Sequence, residues 1–212
     1  MATEFNKISL GYQAHQVVEW QVNICFKDYL FPCHQGTDLY TKFHGLQLDS
    51  HLNWKDHIDK MIPKLSATYY AVRSMFHISN NVTLKSIYFA YFQSIVLYGI
   101  IFGGNSSNSR RIFTLQKKLI RIMVGIHTRT PRKSLFKKLE ILLVPPQYIF
   151  SLMNFLVDNQ KNFKTHSSVH SIDTRNKDHF HKPFANLSCF QKSAFYSGTR
   201  IFNSLYHTVS KI

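Results

Sequence analysis

The feature that most constrains this chain is a long segment without acidic residues. Between Lys60 and Lys138 the sequence carries fourteen Lys and Arg residues, and from Lys60 through Leu139 it has no Asp or Glu. Outside this segment twelve basic residues nearly balance eleven acidic ones, so the formal net charge of +15 belongs to one part of the chain. Such a localised positive field attracts polyanions, and nucleic acid is the first candidate.

Length and composition predict one folded domain, alone or with an appended hairpin or tail. A chain of 212 residues that is 44% hydrophobic can build a core. Its three cysteines, Cys25, Cys33 and Cys189, are odd in number and lack CxxC spacing, and the N-terminus has no apolar signal run. We therefore expect an intracellular protein, in the nucleus or cytoplasm, that is not secreted.

Residues 87–102, IYFAYFQSIVLYGIIF, form the most apolar run of the sequence. A membrane-spanning helix needs roughly twenty residues, and this run is shorter. Its many aromatic residues favour a helix buried in protein. A transmembrane or interfacial helix, with the basic helices at an anionic membrane surface, stays open as an alternative.

Periodicity predicts a mainly α fold with a small β element near residues 17–48. Alternation at Trp20, Val22, Ile24 and Phe26 favours a half-buried strand, and 43–48 is a second strand-like stretch. From Trp54 onward the spacing becomes helical. The predicted buried stripe of this first helix is Ile58, Met61, Ile62, Leu65, Tyr69, Val72 and Phe76. Pro63 is expected to kink this helix or to delay its start.

Five further helices are predicted beyond this one. The apolar run, capped by Asn80, Asn81 and Thr83, ends near Gly103 and Gly104. A basic helix follows the loop 105–109, and a short amphipathic helix buries Leu135, Phe136, Leu139 and Leu142. Pro145 and Pro146 open a helix to about Phe163. Residues 164–183 are predicted to be a loop before an aromatic-rich helix that extends to Tyr206.

Catalytic and metal chemistry find little support in the sequence. No two aspartates are adjacent, and Asp56 with Asp59 suits a helix dipole better than a two-metal site. The best histidine cluster is His166 and His170 at i, i+4, followed by His179 and His181. Because no cysteine pair accompanies it and the segment is patterned as a loop, we favour solvated histidines and predict no metal and no cofactor.

Two other motifs carry no chemistry by themselves. Cys33 beside His34 lacks an identifiable base and orienting group. Gly103 and Gly104 follow a helix without the strand, spacing and Lys of a phosphate-binding loop.

The run FHGLQLDSHLNWKDHI, which begins at Phe43, is followed by a series of spaced motifs. Together they resemble the region after the catalytic palm in reverse transcriptases (RNA-directed DNA polymerases) of jockey-type non-LTR retrotransposons, a class of LINE transposable element. From Phe43 the run FHGLQLDSHLNWKDHI is similar to the family's primer-grip turn and its Leu-x-Trp-x-x-His-Ile stretch. Further similarities, from about Tyr40 to the end, are Tyr98-Gly99-Ile100, Gly104-Asn105-Ser106, residues 112–118, Ile120-Arg121, Leu135-Phe136-Lys137, Ile141-Leu142, residues 173–177 and residues 196–203. The chain departs from the family at His44, Gly103 and Tyr206.

The resemblance implies a thumb-like helical bundle that holds primer and template and performs no bond chemistry. The family's paired catalytic aspartates would precede Phe43, and residues 1–42 contain no such pair. We therefore expect a truncated reverse-transcriptase-derived protein that lacks the palm and is not an enzyme on its own. Mg²⁺ would belong to the missing palm, and a palm-containing polymerase fragment would be a partner.

We expect sequence-independent binding of RNA, DNA or their hybrid through phosphate contacts. The candidate residues are Lys117, Lys118, Arg121, Arg129, Arg132, Lys133, Lys137 and Lys138, and the resemblance adds the grip turn Phe43, His44 and Gly45. Residues 42–163 would form the grip turn and basic thumb-like domain, 164–212 a His-rich loop with an aromatic helix, and 1–41 stay unassigned. The alternatives are helix faces that are basic only to stay solvated, a non-functional remnant of a mobile element, and a membrane-surface or interaction protein.

Overall fold

The computed structural model describes residues 41–43, 45–49, 53–125, 136, 139–171, 175–182, 184–186 and 188–209. The alternation predicted for residues 20–26 lies outside these ranges. The described chain forms two compact units, one holding Leu39–Tyr148 and the other holding the chain from Ile149 onward. Both are built mainly from helices, which confirms the predicted fold class.

The predicted β element includes an antiparallel hairpin. Strand β1, Thr41–Phe43, pairs with β2, Leu46–Leu48, with Phe43 opposite Leu46. Gly45 lies in the connecting turn with φ of 81°, a left-handed conformation that glycine adopts without steric cost. Leu46 and Gln47 are buried, so the hairpin packs on the helical core of its unit.

Helix α1, Lys55–Met75, has the predicted apolar stripe. Ile58, Met61, Leu65 and Val72 are buried, whereas Ile62, Tyr69 and Phe76 are half-buried at its edge. Of the two alternatives for Pro63, a delayed start was wrong, because the helix begins eight residues earlier and continues through it, while a kink there stays a prediction. Pro63 is exposed, so water can solvate the carbonyl group that its missing N–H leaves unpaired.

The apolar run is buried on one side only and is not one continuous helix. Tyr88, Phe92 and Val96 are buried, whereas Phe89 and Tyr91 are exposed. The run comprises α2, Asn81–Ile87, a π-helical segment, Tyr88–Gln93, α3, Ser94–Leu97, and α4, Ile100–Gly103. The chain breaks at Gly99, whose φ is 80°. The side chain of Asn80 caps α2 by accepting a 2.8 Å hydrogen bond from the Thr83 amide, as predicted. No helix in the described part of the chain is both long and apolar enough to cross a bilayer.

Helix α5, Ser109–Val124, packs against α1 and ends at Gly125 in a left-handed C-cap. Its buried residues are Ile112, Gln116, Leu119, Ile120 and Met123. Of the short helix predicted next, Phe136 and Leu139 are buried as expected, but Leu142 is exposed and Ile141 is buried in its place. Helix α6, Val144–Asp158, carries the two prolines in its first turn, as predicted.

The unit that begins at Ile149 has an aromatic core. Phe163 stacks on Phe195 with ring centroids 4.5 Å apart, and Phe180 contacts Phe163 and Phe202 at 5.2 and 4.4 Å. A 3₁₀ turn, Gln160–Asn162, is followed by α7, His166–His170, α8, Ser188–Gln191, and α9, Ala194–Val209. Helix α7 corrects the prediction of an unbroken loop over 164–183, since a Thr165 cap stabilises one short helical turn there.

Candidate nucleic-acid interface

The basic residues of α5 lie on one side of the helix. At 100° per residue, five cations fall within an arc of about 120°. We call this set the basic face: Arg110, Arg111, Lys117, Lys118 and Arg121. The buried residues of α5 lie on the opposite side, which explains why the cations point away from the core.

A buried hydrogen-bond network fixes the orientation of α5. The Gln116 amide Nε2 donates to Tyr88 Oη and to the Leu142 carbonyl, both at 2.9 Å, while its Oε1 accepts from the Val144 amide at 3.0 Å. Tyr88 Oη in turn donates to Gln93 Oε1 at 3.0 Å. Because a buried amide with every partner in place tolerates little rotation, the network sets the direction in which the basic face points.

The π-helical segment makes this network possible. In a π turn the N–H of one residue bonds the carbonyl five residues earlier, so side chains five apart lie on the same side. Tyr88 and Gln93 have that spacing, and both are buried. Gln93 then donates to Gln147 Oε1 at 3.2 Å.

An open groove runs beside the N-terminal half of the basic face. Its volume is about 430 Å³, and it is lined by Ile62, Ser107, Asn108, Arg110, Arg111, Thr114, Leu115 and Lys118. The loop that forms one end is held to the start of α1, because Ser106 Oγ and Asn108 Nδ2 donate to the Asn53 carbonyl at 3.1 and 3.3 Å. The groove thus offers donors and cations on a fixed frame.

The cations of the basic face differ in their surroundings. Arg111 forms an ion pair with Asp59 of α1, and both side chains are substantially exposed. Lys117 Nζ lies 4.2 Å from the centroid of the Phe113 ring. Among the described residues no carboxylate pairs with Arg110, Lys118 or Arg121. These three charges are therefore the ones available to an anionic ligand.

The structure describes only some of the residues that the sequence predicted to bind nucleic acid. Lys117, Lys118 and Arg121 share the basic face as expected, and Gly45 is exposed in the hairpin turn, while the backbone of Phe43 ends β1. The other predicted residues lie outside the described part of the chain: His44, Arg129, Arg132, Lys133, Lys137 and Lys138. Sequence reasoning missed Arg110 and Arg111. Their spacing of seven residues from Lys117 and Lys118 was the available signal.

A second basic and aromatic surface lies near the end of α1. A shallow groove of about 620 Å³ is lined by Tyr70, Ala71, Arg73 and Ser74 of the helix and by His77, which follows the end of the helix. The Tyr70 side chain is 66% exposed. An exposed ring beside a cation suits stacking on an unpaired base.

The described residues contain no cluster of three carboxylates; the one group of three potential metal ligands is formed by histidines. Asp56 lies in the first turn of α1, and Asp59 is paired with Arg111. The arrangement can bind and position an anion.

Comparisons of the chain with models of known protein families, with curated proteins and with solved structures find no match. The resemblance to the reverse transcriptases of non-LTR retrotransposons therefore stays a hypothesis that depends on the quoted motifs.

Proposed function

We propose that this chain binds RNA, DNA or their hybrid through the phosphate backbone, without reading sequence. The observation that carries the proposal is the basic face of α5, where three cations without a carboxylate partner in the described chain lie on one rigid helix. Purely solvating helix faces usually mix Glu with Lys, and this helix has no acidic residue at all.

The binding would depend on charge and on hydrogen bonds to phosphate. Arg110 and Arg121 can each donate two parallel hydrogen bonds to one phosphate group, and Lys118 adds a point charge. Three to five such contacts predict that the logarithm of the binding constant falls with the logarithm of salt concentration with a slope between about −2 and −4.5. Tyr70 beside Arg73 would add stacking for single strands.

We further propose that the chain acts as the thumb-like part of a non-LTR retrotransposon reverse transcriptase, holding primer and template without catalysing bond formation. In support, the hairpin that contains the grip turn folds onto the same unit as the basic face. Mg²⁺ and nucleotidyl transfer would belong to a palm, which is the proposed protein partner.

A second candidate, an interaction protein, is favoured by one surface. Apolar side chains are exposed along residues 78–91, with Ile78 89% and Val82 73% exposed, and Phe89 and Tyr91 also in solvent. A palm-containing fragment or another protein could cover them.

The test is fluorescence anisotropy of the purified chain with a labelled RNA/DNA hybrid at low and moderate salt. The variant K117E/K118E/R121E should lose most of the affinity. The matched control, K161E/R175E/R200E, makes the same change in net charge at exposed cations of the other unit and should bind nearly as well. Equal loss in both variants, or a wild type that does not bind, would overturn the proposal, provided that circular dichroism shows all three proteins folded.

A further inference from the structure

Three histidines that are distant in the sequence meet in the unit that begins at Ile149. His166 and His170 lie one turn apart on α7, with ring centroids 5.9 Å apart and nearly parallel rings. His181 approaches both, at 5.5 Å from His166 and 5.3 Å from His170. One ring nitrogen from each lies within 4.8 Å of the others.

Backbone hydrogen bonds hold the three rings in this arrangement. Thr165 caps α7 and also forms an antiparallel bridge with Phe180, the neighbour of His181. The His166 amide donates to the His179 carbonyl at 2.9 Å, and the His181 amide donates to the Lys164 carbonyl at 2.7 Å. The two chain segments that carry the imidazoles are therefore tied together on both sides of the cluster.

A side-chain clamp from α9 further fixes the segment of His181. Asn203 Oδ1 accepts from the Phe180 amide at 3.0 Å, and Asn203 Nδ2 donates to the Phe180 carbonyl at 2.9 Å. Phe180 itself is buried in the aromatic core. Such support from surrounding groups is what a preorganised metal site needs.

His181 also has an unsatisfied polar atom. Its Nδ1 is buried and has no hydrogen-bond partner in the described part of the structure. A buried nitrogen without a partner is unfavourable, and a metal ion bound to its lone pair would remove that cost.

We propose that His166, His170 and His181 form a binding site for Zn²⁺. Three neutral imidazoles are a common zinc ligand set, and two of them at i, i+4 on one helix is a recurrent way to supply a pair. Zn–N bonds of about 2.0–2.1 Å in a tetrahedral site place ligand nitrogens about 3.3 Å apart. Small rotations about the side-chain bonds of the half-buried His166 and the exposed His170 would close the present spacing between the ring nitrogens.

The site's role would be structural, because the segment His166–His170 contains no Glu to act as a base beside the metal. Zinc would join α7 to the segment that precedes α8, and a water molecule or another ligand would complete the tetrahedron. This inference is independent of nucleic-acid binding, since it concerns residues of the other unit.

The experiment uses the full chain without a histidine tag, stripped with a chelator and dialysed. Zn²⁺ is titrated in competition with a chromogenic chelator, and Co²⁺ is used as a spectroscopic probe of tetrahedral coordination. We expect one tight equivalent, a Co²⁺ spectrum of tetrahedral type and a rise in melting temperature with Zn²⁺.

The variants H170Q and H181Q should lower the affinity of that equivalent at least 100-fold, since even the loss of outer-shell support costs 10–100-fold. His77 is exposed and distant from the cluster in sequence, so H77Q is the matched control and should keep the tight equivalent. His170 is exposed, so H170Q should fold even if H181Q does not. The proposal is overturned if H170Q binds Zn²⁺ as tightly as H77Q, or if the wild type shows only the weak binding expected of scattered surface histidines.

Discussion

Leu46 of the hairpin lies directly against Gly99, at the break in the apolar run. A β-carbon placed on Gly99 would lie 2.6 Å from Leu46 Cδ2, and Leu46 is 3% exposed. The hairpin therefore docks where the helical chain turns sharply, and Gly99 is required both for its φ of 80° and for the absence of a side chain.

The substitution G99A should lower the free energy of unfolding by at least about 1–2 kcal/mol, the cost of a left-handed conformation for alanine, with a further loss from the contact with Leu46. Urea unfolding measures this change. G103A is the control, because a β-carbon there would meet Trp54 at an ordinary 3.5 Å. In an L46A background the cost of G99A should fall, since only the backbone part remains. An equal cost in both backgrounds would contradict the docking contact.

The period of the apolar residues was enough to predict the long helices. Ile58, Leu65 and Val72 repeat at seven residues, and the core of α1 follows from that repeat. The break at Gly99 was missed because a run that is apolar on every side shows no period, so its helical segments could not be separated.

In the candidate sites, the sequence predicted only which residues that lie close together in the chain share a face. Lys117, Lys118 and Arg121 lie within two helical turns, so their shared face followed from spacing. His181 meets His166 through the bridge between Thr165 and Phe180, a tertiary contact that spacing does not encode. Gln116 was likewise missed, because its partners come from three separate segments.

The Asp59 carboxylate should compete with the phosphates of nucleic acid for Arg111. The variant D59N removes the carboxylate and frees Arg111, so the affinity for an RNA/DNA hybrid should rise and the salt slope should steepen by up to about 1. Anisotropy titrations at several salt concentrations test this. As the paired measurement, R110Q should weaken binding more than R111Q, since Arg110 has no carboxylate partner in the described chain. Equal effects of the two arginine variants would argue that the ion pair does not matter.

Replacing Gln116 with leucine should destabilise the first unit by about 2–4 kcal/mol. The change keeps a similar volume but leaves the buried Val144 amide without its acceptor, at about 1–3 kcal/mol. The Leu142 carbonyl also loses its donor, at a smaller cost because that contact is only partly buried. The measurement is chemical unfolding, with Q191L as a control at an exposed glutamine. If Q116L is as stable as the wild type, the network does not hold α5 in place.

Acidification should lower the free energy of unfolding, because His57 becomes protonated and its hydrogen bond to the hairpin is lost. Burial, with the nearby positive charge of Lys64, lowers the pKa of His57 below its ordinary value of 6.5. The unfolded chain then takes up a proton at higher pH than the folded chain does. The stabilisation that comes from neutral His57 is therefore fully present above pH 6.5. It is lost as the pH falls towards the pKa that His57 has in the folded chain.

The structural reason is that His57 Nδ1 accepts a hydrogen bond from the Gln47 amide of β2, at 3.4 Å, and protonation of that nitrogen would remove it. Unfolding free energies at pH 7.5 and 5.5 should differ less in H57Q than in the wild type. A histidine titration followed by NMR that places His57 at or above 6.5 would be incompatible with this account.

Alkaline conditions should weaken the core through Tyr88. Burial raises the pKa of Tyr88 from 10.0 to about 12, and the hydrogen bond from Gln116 only partly opposes this. Between these two values the unfolded chain loses the phenolic proton while the folded chain keeps it. The free energy of unfolding therefore falls as the pH rises above 10, by about 1.4 kcal/mol at pH 11 from this residue alone.

The variant Y88F isolates this contribution. At pH 8.5 it should be less stable than the wild type by about 1 kcal/mol, because Gln93 Oε1 loses its donor. At pH 11 the difference should vanish or change sign, since phenylalanine has no proton to lose. The other tyrosines titrate in both proteins and cancel in the comparison. If the difference in free energy of unfolding between the two proteins stays constant from pH 8.5 to 11, the core does not hold the Tyr88 hydroxyl neutral.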